Sequence, residues 1–209
     1  MDESQTNENE TEDDTPQWLY TGGAVRAMDA WAIANLGVSG LRLMRRAAQA
    51  CVQKIADLWP EAHNIAVFCG KGNNAGDGYL IAGILAERGY SVRAFEVSPH
   101  DQLVGDAASA YEFCVQTDCV RTEGCGLPKE HERFDLVVDA LLGTGLNGDL
   151  RDDYQAAVDH INALSRPVIA VDLPTGLCAD SGRQLGRAVK ATVTVTFIGR
   201  KRGLFTGDG

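Results

Sequence analysis

One α/β domain on a mostly parallel sheet is the fold class that three features of this chain predict. Strand-like apolar runs alternate with helix-like runs from residue 64 onward. Several strand-like runs are apolar without a break, such as Leu136-Val137-Val138 and Val168-Ile169-Ala170-Val171, as suits strands covered on both faces. A glycine-rich turn, Gly70 to Gly78, joins the first strand to the helix that follows. Parallel neighbours need crossovers of about this length, and such crossovers are right-handed.

The elements follow in order. Residues 1–16 hold seven acids and no base, so most of the net charge of −10 lies there. That stretch is expected to be a disordered acidic tail, ahead of one domain over 17–209. Residues 25–36 read as a helix closed by Gly37. Ser39 is placed to cap a second helix, in which Leu43, Ala47, Cys51 and Ile55 recur at a spacing of four beside Met44, Ala48 and Val52. Pro60 ends it. Strands are expected over 64–69, 91–97, 134–139, 168–172 and 192–197, with helices over 76–88, 103–115 and 154–164.

Composition narrows the function. The domain has no basic excess, which argues against nucleic acid as a partner. No apolar run approaches the ~18 residues of a membrane helix, and no basic, then apolar, leader opens the chain. Six cysteines form no C-x-x-C pair. Cys114, Cys119 and Cys125 lie near His131 but match no common zinc spacing, so reduced thiols in a cytoplasmic protein are expected.

In an open parallel sheet, ligands bind outside the carboxyl ends of the strands. The first strand delivers Asn73, Asn74 and Asp77 there, the third Asp139, and the fourth Asp172 followed by Pro174-Thr175-Gly176. Each has an ordinary structural explanation, as a glycine turn, a helix-dipole partner or an Asx turn. Three carboxylates gathered on one edge point instead to a site. Gly70-x-Gly72-x-x-Ala75, with Glu96 further on to hold a ribose hydroxyl, formally matches a dinucleotide fingerprint. Asp77, Asp139 and Asp172 would repel a pyrophosphate there unless a cation or protons intervened. The oxygen donors of Asn74, Asp139 and Thr175 carry little charge, which suits a monovalent ion such as potassium.

Four ordered segments then carry a resemblance: G-K-G-N-N-A-G-D-G, V-D-A-L-L-G-T-G-L, V-D-L-P-T-G-L-C-A-D-S-G and T-V-T-F-I-G-R-K-R-G-L. With Met28-Asp29 and the run Leu41 to Ala47, they closely resemble the NAD(P)H-hydrate epimerase family, the YjeF N-terminal domain, over residues 20–207. The resemblance implies a Rossmann-like three-layer sandwich with two N-terminal helices, and repair of hydrated NADH and NADPH by interconversion of their R and S forms. It implies that Asn73, Asn74, Ala75, Gly76 and Asp77 line the substrate site. Gly143, Thr144, Gly145, Leu146, Asn147, Gly148 and Asp149 would form a second substrate loop, with contacts from Tyr154 and Asp172. Asn74, Asp139 and Thr175 would hold potassium.

The family usually has glycine where this chain has Ala75, so a methyl there is expected to crowd the ligand or to demand a negative φ. Thr175 in place of the usual serine keeps the hydroxyl. The resemblance also implies a homodimer through the N-terminal helices, and a functional link to a kinase-like dehydratase domain that follows this one in many relatives.

Epimerisation needs an acid at the leaving oxygen and a base for its return. Asp172 is the expected catalytic group, with a raised pKa in an enclosed site. Asp77 is expected to position its loop or touch the substrate. The rival readings are an NAD-dependent oxidoreductase, through the fingerprint and Glu96, and a non-catalytic binding module on the same fold.

Overall fold

The computed structural model describes residues 18–122, 126–129, 131–146 and 148–209. The acidic tail, Cys125 and Asn147 lie outside the described residues. A short strand β1 (Leu19–Tyr20) leads to helices α1 (Gly22–Leu36) and α2 (Gly40–Leu58). The Thr21 hydroxyl caps α1 through the Ala24 N–H, and Ser39 caps α2 through the Arg42 N–H. Such caps each contribute about 1 kcal/mol. Gly37, at φ 64°, ends α1 in the left-handed conformation that a glycine adopts freely.

From β2 (Asn64–Cys69) onward the chain winds through α3 (Asn73–Glu87), β3 (Ser91–Glu96), α4 (Asp106–Val115) and β4 (Val120–Thr122). It returns as β5 (Leu136–Ala140), α5 (Asp152–Ala163), β6 (Val168–Val171), β7 (Val193–Val195) and β8 (Arg200–Lys201). Six strands form a sheet in the order β4-β3-β2-β5-β6-β7, all paired parallel. β1 and β8 form a separate two-stranded parallel pair.

Alternation along the strands splits the core between two faces. Ile65, Val67, Val138 and Ile169 pack with α2, α3 and α4 on one side. Ala66, Phe68, Val137 and Val168 pack with α5 on the other. The expected three-layer α/β sandwich is therefore observed. The α2 stripe Met44, Ala48, Cys51, Val52 and Ile55 is buried on the first face. Gly76 lets α3 approach closely there, since a Cβ would stand 2.7 Å from the Met44 sulfur and 2.9 Å from the Ala107 Cα.

Three short elements were not expected. β4 is half-exposed and three residues long, and β1 and β8 are two residues each, so none has the length to print a pattern. α3 starts three residues earlier than expected, with Gly72 at φ 78° breaking the chain into it. No helix among the described residues is long and apolar enough to cross a membrane.

Candidate functional site

The order in which strands are added reverses at the β2–β5 boundary, and a crevice opens there beyond the strands' carboxyl ends. A cavity of about 580 Å³ fills it. Its wall includes Gly72, Asn73, Asn74 and Asp77 at the start of α3, the loop Leu142 to Leu146, and Asp172. α1 contributes Arg26 and Asp29, and α2 contributes Leu43, Met44 and Ala47, so the two N-terminal helices help enclose it. Arg26 donates a hydrogen bond to the Thr144 carbonyl and latches α1 onto the loop.

Asp172 sits just past β6, at φ 69°, a conformation Asp tolerates better than most residues. Its N–H donates to the Val195 carbonyl at 2.7 Å, which turns the side chain off the sheet. Lys201 Nζ donates to Asp172 Oδ1 and forms a salt bridge with it; the lysine side chain is fully buried and the aspartate 17% exposed. Sequence reasoning missed Lys201, because a lysine between two arginines reads as a solvated basic face. The structure thus gives Asp172 a buried cationic partner that the sequence reading did not anticipate.

Asp77 has the acid's surroundings instead. Burial, then the charges of Asp172 and Asp29, push its carboxyl well above the usual range, against a smaller opposing pull from Lys201. Asp29 is raised by burial and by Asp172 and Asp106. Two carboxyls with opposite surroundings in one cavity divide naturally into proton donor and acceptor.

Behind the loop lies a second polar layer, of which Asn74 alone reaches the cavity wall. Asp139 and Thr175 are both fully buried. Asp139 Oδ2 accepts from the Thr175 N–H at 2.8 Å, and Oδ1 accepts from the Thr175 hydroxyl at 2.7 Å and the Leu141 N–H at 3.2 Å. Burial raises the Asp139 pKa to about 6, more than these hydrogen bonds lower it. Asn74 is buried too, and its Nδ2 has no partner. The oxygens of Asp139, Thr175 and Asn74, beside the Leu142 carbonyl, are the ones that could hold a monovalent cation; the unpartnered Asn74 Nδ2 is itself a hydrogen-bond donor. No group of three or more His, Cys, Asp or Glu able to hold a metal occurs among the described residues.

Several expected contacts are relocated. Ala75 and Gly76 do not line the cavity: they lie in the first turn of α3, fully buried against the core, so the Ala75 methyl points away from any ligand. Its backbone is not among those with positive φ, so the methyl brings no strain. Gly143, Thr144, Gly145 and Leu146 line the cavity, whereas Gly148 and Asp149 are exposed beyond it, because Leu150 inserts into the core and draws the chain away.

Tyr154 is 2% exposed and supports the site from beneath, its hydroxyl 2.7 Å from the Ser98 hydroxyl. Glu96 is 1% exposed and sealed by His100, whose Nδ1 lies 3.0 Å from its carboxylate while the ring stacks on Tyr111. It cannot hold a ribose, which removes the anchor of the oxidoreductase reading.

The chain matches the family described as YjeF-related protein N-terminus over residues 40–203. It is 40% identical over 194 residues to the bifunctional NAD(P)H-hydrate repair enzyme Nnr of Coxiella burnetii, covering 90% of this chain and 38% of that one. It thus spans well under half the length of that relative. It is 35% identical over 195 residues to the NAD(P)H-hydrate epimerase of Limosilactobacillus fermentum, covering 90% of this chain and 89% of the relative. A crystal structure of yeast ynu0, YNL200c, superposes with a TM-score of 0.76 at 18% identity, over 91% of this chain and 85% of that one, which establishes the shared fold. With motifs, topology and relatives in agreement, the chain belongs to the family of the YjeF-related protein N-terminus.

Proposed function

We propose that this chain interconverts the R and S forms of hydrated NADH and NADPH, an isomerase step of nicotinamide cofactor repair. The observation that carries the reading is the pairing, in one cavity, of a carboxyl whose pKa burial and acidic neighbours raise, Asp77, with one bound by a buried ammonium, Asp172. The Limosilactobacillus relative, nearly matched in length, is named for that activity. Exchange of faces at the hydrated carbon requires the hydroxyl to leave and return, or the ring to open and close. Asp77 donates the proton to the departing oxygen, and Asp172 receives one on the return. The uncapped start of α3 at Gly72, with Arg26 and Lys71 on the same wall, suits the diphosphate.

Potassium fits the layer behind the loop, held by Asn74, Asp139 and Thr175. There it would balance the Asp139 charge and stiffen the loop that contacts substrate. In the ion-free protein, Asp139 binds its proton more tightly folded than unfolded, so its contribution to stability falls as pH rises from about 4 to about 6, at up to 1.4 kcal/mol per pH unit. Melting temperatures in potassium and in choline chloride are therefore expected to converge near pH 5 and to separate above pH 6, with potassium the higher. Equal melting temperatures at pH 7.5 would remove the ion.

A cytoplasmic location and a link to an NAD(P)H-hydrate dehydratase belong to this reading, since the Coxiella relative is named as bifunctional. A homodimer through α1 belongs to it as well, supported by the exposed Trp31, Ile33 and Leu36. The decisive assay follows R-to-S conversion of hydrated NADPH with a coupled dehydratase, in potassium and in choline buffer. Conversion faster than the uncatalysed rate, and faster in potassium, is expected; conversion at the uncatalysed rate would leave the non-catalytic binding module.

A further inference from the structure

Lys201 is the one fully buried lysine among the described residues, and its neighbours Arg200 and Arg202 are exposed. Burying an ammonium costs several kcal/mol unless its surroundings compensate. Here they do so completely: its three protons meet three acceptors, Asp172 Oδ1, Thr196 Oγ1 at 2.9 Å and the Phe197 carbonyl at 2.8 Å. No proton remains for a ligand, and the side chain is not on the cavity wall. The backbone is fixed as well. Lys201 pairs with Tyr20 in the β1–β8 ladder, and Gly199 packs so tightly on the Tyr20 ring that a Cβ there would lie 2.7 Å from it.

Two unusual backbone conformations converge on this ammonium. Asp172 has φ 69°, and Ile198 has φ 66° in a tight turn closed by the Gly199 N–H on the Phe197 carbonyl at 2.7 Å. A β-branched residue at such a φ is strained and persists where its surroundings hold it. The turn aims the Phe197 carbonyl at Lys201, and Lys201 in turn engages one oxygen of Asp172. The other oxygen, Oδ2, stands next to Gly143 on the cavity wall, close enough that a Cβ on that glycine would lie 3.3 Å away.

We propose that Lys201 is a positioning residue for the epimerisation, an inference that rests on the function proposed above. Clamped by three acceptors, it holds Asp172 with one oxygen engaged and the other presented to the substrate. A purely charge-balancing lysine would be replaceable by arginine. A clamp would not be, because a planar guanidinium cannot meet three acceptors arranged around a compact ammonium.

The test measures kcat and KM for R-to-S conversion of hydrated NADPH by the wild-type chain and by K201R, K201M and T196V, with a thermal melt of each. Displacing a catalytic group by about 1 Å costs about 100-fold in rate. On that scale kcat is expected to fall about 100-fold in K201M, about 10-fold in K201R and about threefold in T196V. KM is expected to stay within about threefold throughout, because Lys201 is not on the cavity wall and has no proton free for a ligand. Wild-type kcat in K201R would overturn the proposal, as would a KM that rises in step with the loss of kcat. Should K201M fail to fold, K201R and T196V decide. No conversion by the wild-type chain would overturn the functional reading itself, and the positioning role with it.

Discussion

Asp172→Asn is expected to lower kcat by about 10²–10⁴ while KM for the hydrated cofactor changes less than about threefold. The carboxamide oxygen can still accept from Lys201, so the side chain keeps its place, but it no longer accepts a proton from the reacting oxygen. A buried ammonium then faces a neutral partner, and a loss of about 1–3 kcal/mol in stability accompanies the substitution. Asp77→Asn should separate the two quantities. It removes a carboxyl that burial and its acidic neighbours disfavour in the charged form, so stability at pH 8 is expected to rise while kcat falls. Steady-state kinetics and urea unfolding of the two variants check both signs. Unchanged turnover in D172N would remove Asp172 from the chemistry.

Gly176→Ala is expected to cost about 3–5 kcal/mol, enough to leave a marginal domain largely unfolded at 37 °C. Gly176 has φ 91°, where a Cβ is strained in any surroundings. The new methyl would also stand 1.8 Å from the Arg187 carbonyl oxygen and 2.9 Å from the Ala188 Cα, both backbone atoms that cannot swing aside. The Leu185 N–H bonds the Gly176 carbonyl, and the Val189 N–H bonds the Thr175 carbonyl, so the segment after β6 is stitched to this return loop. Forcing it open displaces Thr175 from Asp139, and activity should be lost in any fraction that still folds. A denaturation midpoint within 0.3 M urea of wild type would contradict this.

The sheet was legible because its central strands are apolar and buried on both faces. The run from Asn64 to Cys69 is observed with the expected bounds, and those of the other four shift by one to two residues at one end or at both. The start of α3 was not legible, since Gly72-Asn73-Asn74 is turn-like by residue type and becomes helical through its position beneath the cavity. That displacement explains the difficulty over Ala75: in a loop its methyl faces a ligand, and in the first turn of a helix it faces the core.

Of the site, Asn74, Asp77, Asp139, Asp172 and Thr175 were readable from their places at strand ends. Asp29 and Arg26 were not, because α1 reaches the cavity only through tertiary packing. Lys201 was hidden for a different reason. Its burial depends on a two-residue ladder with Tyr20, which no local pattern announces.

That ladder sets an order of events during synthesis. It joins the two ends of the described chain, and the Gly22 N–H bond to Asp180 beside it spans 158 positions. During synthesis β2 through β6 are made before Lys201 is added, at about 5–20 residues per second. Contacts of such separation close late, because the loop entropy they must overcome is the largest in the chain. The clamp on Asp172 is therefore expected to form after the central strands have paired. The same seam is expected to part first on gentle heating, releasing the clamp on Asp172 while the core is still intact.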